Sequence, residues 1–207
     1  MLTLPKKYLS FSSLSLFYKN KDEFRRRYYE SIKSPDSVYS MFGREVHEKI
    51  AKEKKYAPIR LPVAEHKIEV EVCGVPLLGY IDTIDPDDNY IFNEYKSGIR
   101  KPDGSPRWTQ VDVQKHDQQP FYSMMIEEKY GVRTKTSNLV WLETAWEEDI
   151  RQLGGVTLSS GRRLVLTGHY EVFTRRIFQY DRDRMRRWVK QGAKAISEDY
   201  SAWLASR

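Results

Sequence analysis

The spacing of apolar residues divides the chain into three parts. In the first, Leu14, Phe17, Phe24 and Tyr29 mark a helical stretch. Ser10-Phe11-Ser12-Ser13 precedes it and offers hydroxyls for its N-cap. Asn20-Lys21-Asp22 predicts a break in that helix, and Ser34-Pro35-Asp36-Ser37 predicts a turn. A second helix is expected from Val38 to about Lys55, closed by Pro58 and Pro62. The middle part changes period. His66–Val72, Val75–Ile84 and Tyr90–Lys96 read as three strands, separated by turns at Cys73-Gly74 and Asp85-Pro86-Asp87-Asp88-Asn89. Residues 97–110 contain two glycines and two prolines and read as a mobile loop. A helix then runs to about Tyr130 and ends at Gly131.

The last part returns to strand at Asn138–Thr144 and loosens around Gly154-Gly155 and Ser159-Ser160-Gly161. It continues as one or two strands from Leu164 to Tyr180. Asp181 can cap a final helix whose apolar stripe is Met185, Trp188, Val189, Ile196, Tyr200, Trp203 and Leu204. This order predicts an α/β fold, with a central mixed β-sheet flanked by helices. At 207 residues it fits one domain, with a helical part at 1–57, a core at 64–145 and a basic strand-and-helix part at 146–207.

Composition narrows the class. Hydrophobic residues make up 40% and charged residues 31%, as in a soluble globular protein. No apolar run approaches the roughly 20 residues of a membrane span, so no membrane partner is expected. The opening Met1-Leu2-Thr3-Leu4-Pro5-Lys6-Lys7 does not resemble a secretory signal, and a cytoplasmic location is expected. The single cysteine, Cys73, rules out an internal disulfide and an all-cysteine zinc or iron–sulfur site within one chain. The net charge of +6 is unevenly placed. Between Gly161 and Lys194 there are ten basic residues, Arg162, Arg175 and Arg176 among them, against three acidic ones. Aromatics such as Tyr170, Phe178, Tyr180 and Trp188 are interspersed. Such a region suits a polyanion surface, and equally an ordinary solvated face.

Candidate chemistry concentrates in the predicted strands. Glu94 and Lys96 are two apart, so both side chains leave one face of a strand. If residue 84 faces residue 90, Asp82 faces residue 92 and lies diagonal to Glu94 on that face. Buried carboxylates need a partner, and their oxygens suit a hard cation such as Mg²⁺ or Mn²⁺. Lys96 could orient a water or neutralise charge on a phosphate; the plainer alternative is a structural Glu94–Lys96 ion pair. Gly43-Arg44-Glu45-Val46-His47 places an imidazole one turn after a glycine, which leaves room beside it. Gln118 and Tyr122 lie at i, i+4 on one helix face. Pro120 between them is compatible with a helix only in its first turn, with Asp117 as cap.

Together these residues resemble the PD-(D/E)XK nuclease superfamily in its RecB-like branch. Ser10-x-Ser12-x-Leu14, Gly43-x-x-x-His47, Gly79-Tyr80-Ile81-Asp82, Glu94-Tyr95-Lys96 and Gln118-x-x-x-Tyr122 occur in that family's order, across about residues 8–130. The resemblance implies a restriction-endonuclease-like core and metal-dependent hydrolysis of DNA phosphodiesters with Mg²⁺ or Mn²⁺. It implies His47, Asp82, Glu94 and the Tyr95 carbonyl as metal ligands, and Lys96 as the catalytic lysine. Gln118 would position the site, and Tyr122 would contact DNA or support Gln118. Many relatives hold an iron–sulfur cluster through four cysteines; the matching region here, Phe17 to Lys21, has none, so a cluster-free member is expected. The leading expectation is an exonuclease on single-stranded DNA or DNA ends, with a helicase or recombination protein as a compatible partner. A structure-selective endonuclease and a catalytically inactive DNA-binding module are the alternatives. Expected DNA contacts are Ser10, Ser12 and Tyr122, then Arg100, Lys101, Arg107 and Trp108 of the loop, and Arg175 and Arg176 of the basic region.

Overall fold

The computed structural model describes residues 2–33, 35–53, 58–147 and 163–207, and the backbone of 155–157. The sequence readings at Ser34, Lys55, Gly154, Ser159-Ser160-Gly161 and Arg162 fall outside these residues. The described residues form a mixed sheet whose strands run, edge to edge, Val63–Val72, Val75–Asp85, Ile91–Gly98, Thr136–Trp146, Arg163–Arg176 and Gly155–Thr157. β1 (Val63–Val72), β2 (Val75–Asp85) and β3 (Ile91–Gly98) form an antiparallel meander. β4 (Thr136–Trp146) lies parallel to β3, so a crossover must join them. Helices α4 (Gln110–Lys115) and α5 (Gln118–Tyr130) supply it. β6 (Arg163–Arg176) runs antiparallel to β4, and the short β5 (Gly155–Thr157) completes that edge. No helix among the described residues is long and apolar enough to cross a membrane.

The helices cover both faces. On one, α1 (Phe11–Lys19), α2 (Lys21–Tyr28), α5 and α6 (Gln179–Ala205) share a core with Leu77, Ile81, Ile84 and Phe92. On the other, Phe42, Val46 and Ile50 of α3 (Val38–Lys52) pack on Tyr95, Val140 and Leu142. The break at Asn20 is as expected: its side chain accepts the Glu23 amide at 3.0 Å and starts α2. Ser10 caps α1 in a reciprocal box with Ser13. The α6 stripe buries Met185, Val189 and Ile196, while Leu204 stands 46% exposed at the helix end. Asp181 acts one turn inside α6 rather than ahead of it, accepting the Phe178 amide at 2.9 Å.

The helix expected to lead into Tyr130 is two helices. A continuous helix would drive the Pro120 ring into the carbonyl of His116, four residues earlier. The chain turns extended at His116 (ψ 112°) and restarts at Gln118 with Asp117 in the cap position. Pro120 thus falls in the first turn, where a missing N–H costs nothing. The Asp117 carboxylate does not cap; it accepts from Arg184 at 2.5 Å.

The break explains Arg175. Its guanidinium donates to the His116 carbonyl (2.6 Å) and to that of Val113 (3.2 Å), which also accepts the His116 amide, and pairs with Asp181 at 3.2 Å. Arg175 is 3% exposed. The expectation that it contacts DNA is therefore corrected: it satisfies the C-terminal carbonyls of α4. Residues 97–110 are also built rather than untethered. Arg100 grips Glu143 with two hydrogen bonds (3.0 and 2.7 Å), and Trp108 packs on Val113, Leu139 and Trp141.

Two contacts yield stability predictions. Asp199 accepts from Arg25 (3.0 and 2.5 Å), Lys21 (2.6 Å) and Tyr29 (3.0 Å) with its carboxylate almost buried. The Arg25 hydrogen bonds hold its pKa well below the carboxylate range. A depressed carboxylate contributes stability that is present above its unfolded pKa, about 3.9, and is lost as pH falls toward the folded value. Asp199→Asn should cost about 2–3 kcal/mol at pH 7 and flatten the decline in stability below about pH 4, measured by denaturant unfolding across pH. At Gly79, an added Cβ would sit 2.9 Å from Tyr122 Cε1 and 3.3 Å from Met125 Sδ. Gly79→Ala should therefore destabilise by about 1–3 kcal/mol through overpacking, read as a lowered Tm.

Candidate active site

The sheet forks at the expected acids. β2 and β3 pair only through Thr83–Asn93, Ile84–Phe92 and Asp85–Ile91. Residue 84 thus faces 92 rather than 90. That shift is two residues, so it preserves the face on which each side chain lies. Past Thr83 and Asn93 the strands part. The edge of β2 is taken up by Leu9, whose amide donates to the Pro76 carbonyl and whose carbonyl accepts from Leu78, both at 2.9 Å. β3 continues beside β4. Asp82 and Glu94 are the first residues beyond the last rung.

The β1–β2 ladder is also interrupted at this level. It skips Glu65, which takes a positive φ of 49°. The buried–exposed alternation of β2 breaks just after Asp82, where Thr83 and Ile84 are both buried. Asp82 fills the place of a strand partner. Its Oδ2 accepts the Tyr95 amide at 2.7 Å, and its Oδ1 lies 3.0 Å from His47 Nδ1. His47 comes from α3 on one face, while the next group comes from α5 on the other.

Glu94 is the centre of that second group and is 2% exposed. Its Oε1 accepts from Lys96 Nζ and from Gln118 Nε2, both at 2.6 Å. Gln118 Oε1 accepts from Lys96 at 3.1 Å, and Gln118 Nε2 also donates to the Tyr122 hydroxyl at 3.1 Å. The i, i+4 spacing and the Glu94–Lys96 alternation both deliver what the sequence anticipates. Gly79 is the missing piece of the pattern: without a side chain, it admits the Tyr122 ring that supports Gln118. Gly43 is less demanding than expected. An added Cβ would meet Ser97 Oγ at 3.6 Å, an ordinary contact.

The electrostatics follow from crowding. Burial, then the charge of Asp82, raises the Glu94 pKa to about 7 despite Lys96. Burial pulls the Lys96 ammonium down, but Glu94 and Asp82 outweigh it and the net shift is upward. His47 behaves likewise: burial opposes its charge, and the Asp82 hydrogen bond raises it overall. Glu94 Oε2 is buried and has no hydrogen-bond partner. An orphaned carboxylate oxygen beside a second carboxylate fits a hard divalent cation by donor chemistry. Among the described residues, however, no three His, Cys, Asp or Glu side chains stand as a ready-made metal cage. His47 and Asp82 are engaged with each other, so the free donor in this arrangement is Glu94 Oε2.

The outlying candidates divide. Ser12 is exposed on α1, whereas the Ser10 hydroxyl is occupied by its capping box. Lys101, Arg107 and Trp108 border one depression, and Arg176 lines another; Arg100 is committed to Glu143. Sequence reasoning names Asp117 only as a helix cap and does not single out Lys115 or His116, since no motif marks a helix junction. Pro120 was the available signal.

Comparison with known proteins accords with this geometry. A family model described as the PD-(D/E)XK nuclease superfamily matches residues 48–204. The fold resembles an exonuclease-named protein of Eubacterium rectale (TM-score 0.57, 10% identity, 95% of this chain and 82% of that one). It also resembles a phage-related exonuclease of Haemophilus somnus 129PT (TM-score 0.53, 10% identity, 88% and 79%). A comparison with curated protein sequences finds no significant match. With a family match over most of its length and an acid pair and lysine in a forked mixed sheet, the chain belongs to the PD-(D/E)XK nuclease superfamily.

Proposed function

We propose that the protein is a metal-dependent DNA nuclease, an exonuclease that acts on single-stranded DNA or DNA ends. The observation that carries the reading is the buried, unpartnered Glu94 Oε2 beside Asp82. The exonuclease names of the structural relatives accord with it, and the superfamily supplies the reaction class.

Each residue has a task in this reading. Glu94, Asp82 and His47, with the Tyr95 carbonyl, would hold Mg²⁺ or Mn²⁺. When bound, such an ion neutralises phosphate charge and acidifies a water. Lys96 presents an ammonium group beside the same carboxylate and balances charge on the scissile phosphate. Gln118 fixes Lys96 and Glu94 relative to each other, and Tyr122 fixes Gln118. His47 and the Tyr95 amide keep Asp82 pointed into the fork.

The decisive experiment is digestion of end-labelled linear and circular single-stranded DNA with Mg²⁺, Mn²⁺ or EDTA. Linear DNA should shorten only with metal, and the circle should persist. A cut circle would make the enzyme an endonuclease; intact DNA under every condition would overturn the nuclease reading. Glu94→Gln and Lys96→Ala should each lower the rate by at least about 100-fold. Glu94→Gln should not lower Tm in EDTA, because it removes one of two crowded, desolvated carboxylates. Charge removal at exposed Arg176 should weaken DNA binding and reduce its salt slope by about one. The same change at buried Arg175 should instead lower Tm.

A further inference from the structure

Three depressions meet at the break between α4 and α5. One, of about 430 Å³, is lined by Lys115, Arg176, Arg184, Phe178 and Tyr180 among others. A second, of about 360 Å³, lies between Lys115 and Lys101, Arg107 and Trp108. The third, of about 310 Å³, lies between Lys115 and Lys19, Tyr18 and Trp188. Exposed Lys115 is common to all three, and Asp117, next to Gln118, borders two of them. The acids here are already engaged. Asp112 accepts from Thr109, Asp117 from Arg184, and Asp181 from Arg175 and the Phe178 amide. The remaining cations leave the surface basic.

Each depression also carries aromatic surface. Phe178 and Tyr180 are 60% and 64% exposed, in a stretch rich in arginine. Tyr18 stacks on Trp188 with rings 5.8 Å apart and 26° from parallel. Trp108 stands edge-on to His116 at 5.0 Å. Burial and the charge of Lys96 push the His116 pKa down to about 4, so its ring is neutral among these aromatics at pH 7. Alternating cations and flat rings suit a strand whose bases are unstacked; a duplex keeps its base faces to itself and offers mainly phosphates.

We infer that the depressions around Lys115 form the track for an unpaired DNA strand, with Phe178 and Tyr180 as a base-stacking platform, leading to the α5 N-terminus and Glu94. This rests on the nuclease reading for what happens at the end of the track, but its test does not require cleavage. Fluorescence anisotropy in EDTA would compare a labelled 20-residue oligo(dT) with a blunt hairpin duplex. The pair Phe178→Leu and Tyr180→Leu, which keeps apolar bulk but removes both rings, should weaken oligo(dT) binding about tenfold or more and change duplex binding less than about twofold. Lys115→Glu should weaken oligo(dT) binding and lower its salt slope by about one. Thermal melts would confirm that the variants fold. Unchanged oligo(dT) affinity, or equal losses on both DNA forms, would overturn the track. An enzyme that fails to cleave DNA would refute the nuclease reading and leave these affinities as the separate measure of the track.

Discussion

The arrangement of the site turns on a carboxylate held where water cannot reach it and where another carboxylate is close. Desolvation and like-charge repulsion both act against ionised Glu94, and one lysine does not offset them, since the Glu94 pKa still rises to about 7. The surrounding protein supplies hydrogen bonds to Oε1 alone. Folding must therefore hold this group in place through the rest of the fold: the β3–β4 pairing, the α3 contacts on Tyr95 and the packing of α5 against β2. Under the function proposed above, a bound cation would relieve that crowding, and stability and function would then oppose each other here.

The fork in the sheet makes that crowding possible. A fully paired β2–β3 ladder would satisfy the Tyr95 amide with backbone. Here Asp82 does so, and the opening lets His47 approach from one face and Gln118 from the other. Superfamily membership accounts for the general plan. In this chain, hydrogen bonds tie Gln118 to Glu94, Lys96 and Tyr122.

Much of this could be read from residue order because it depends on short periods. Glu94 and Lys96 share a face by strand alternation, Gln118 and Tyr122 by helical repeat, and Asn20 splits the first helix by its capping side chain. The register of β2 against β3 differs by two from the expected one, and Asp82 reaches the fork where the alternation of β2 breaks beside it. What escaped reading depends on distant partners. Arg175 looks like one more surface cation until the carbonyls freed at His116 are known. Gly79 has no reason within its own strand until Tyr122 is placed over it. Where β2 and β3 part, Leu9 takes the free edge of β2, a long-range pairing that no local pattern reports.

The proline in α5 has a wider consequence. Because it forces a restart immediately before Gln118, the helix that carries the amide does not continue the axis of α4. A change of length at the exposed turn 102–104 would not be carried into the rotation of Gln118, as it would be along an unbroken rod. The junction thus lets that turn vary while the contacts of Gln118 with Glu94, Lys96 and Tyr122 keep their geometry.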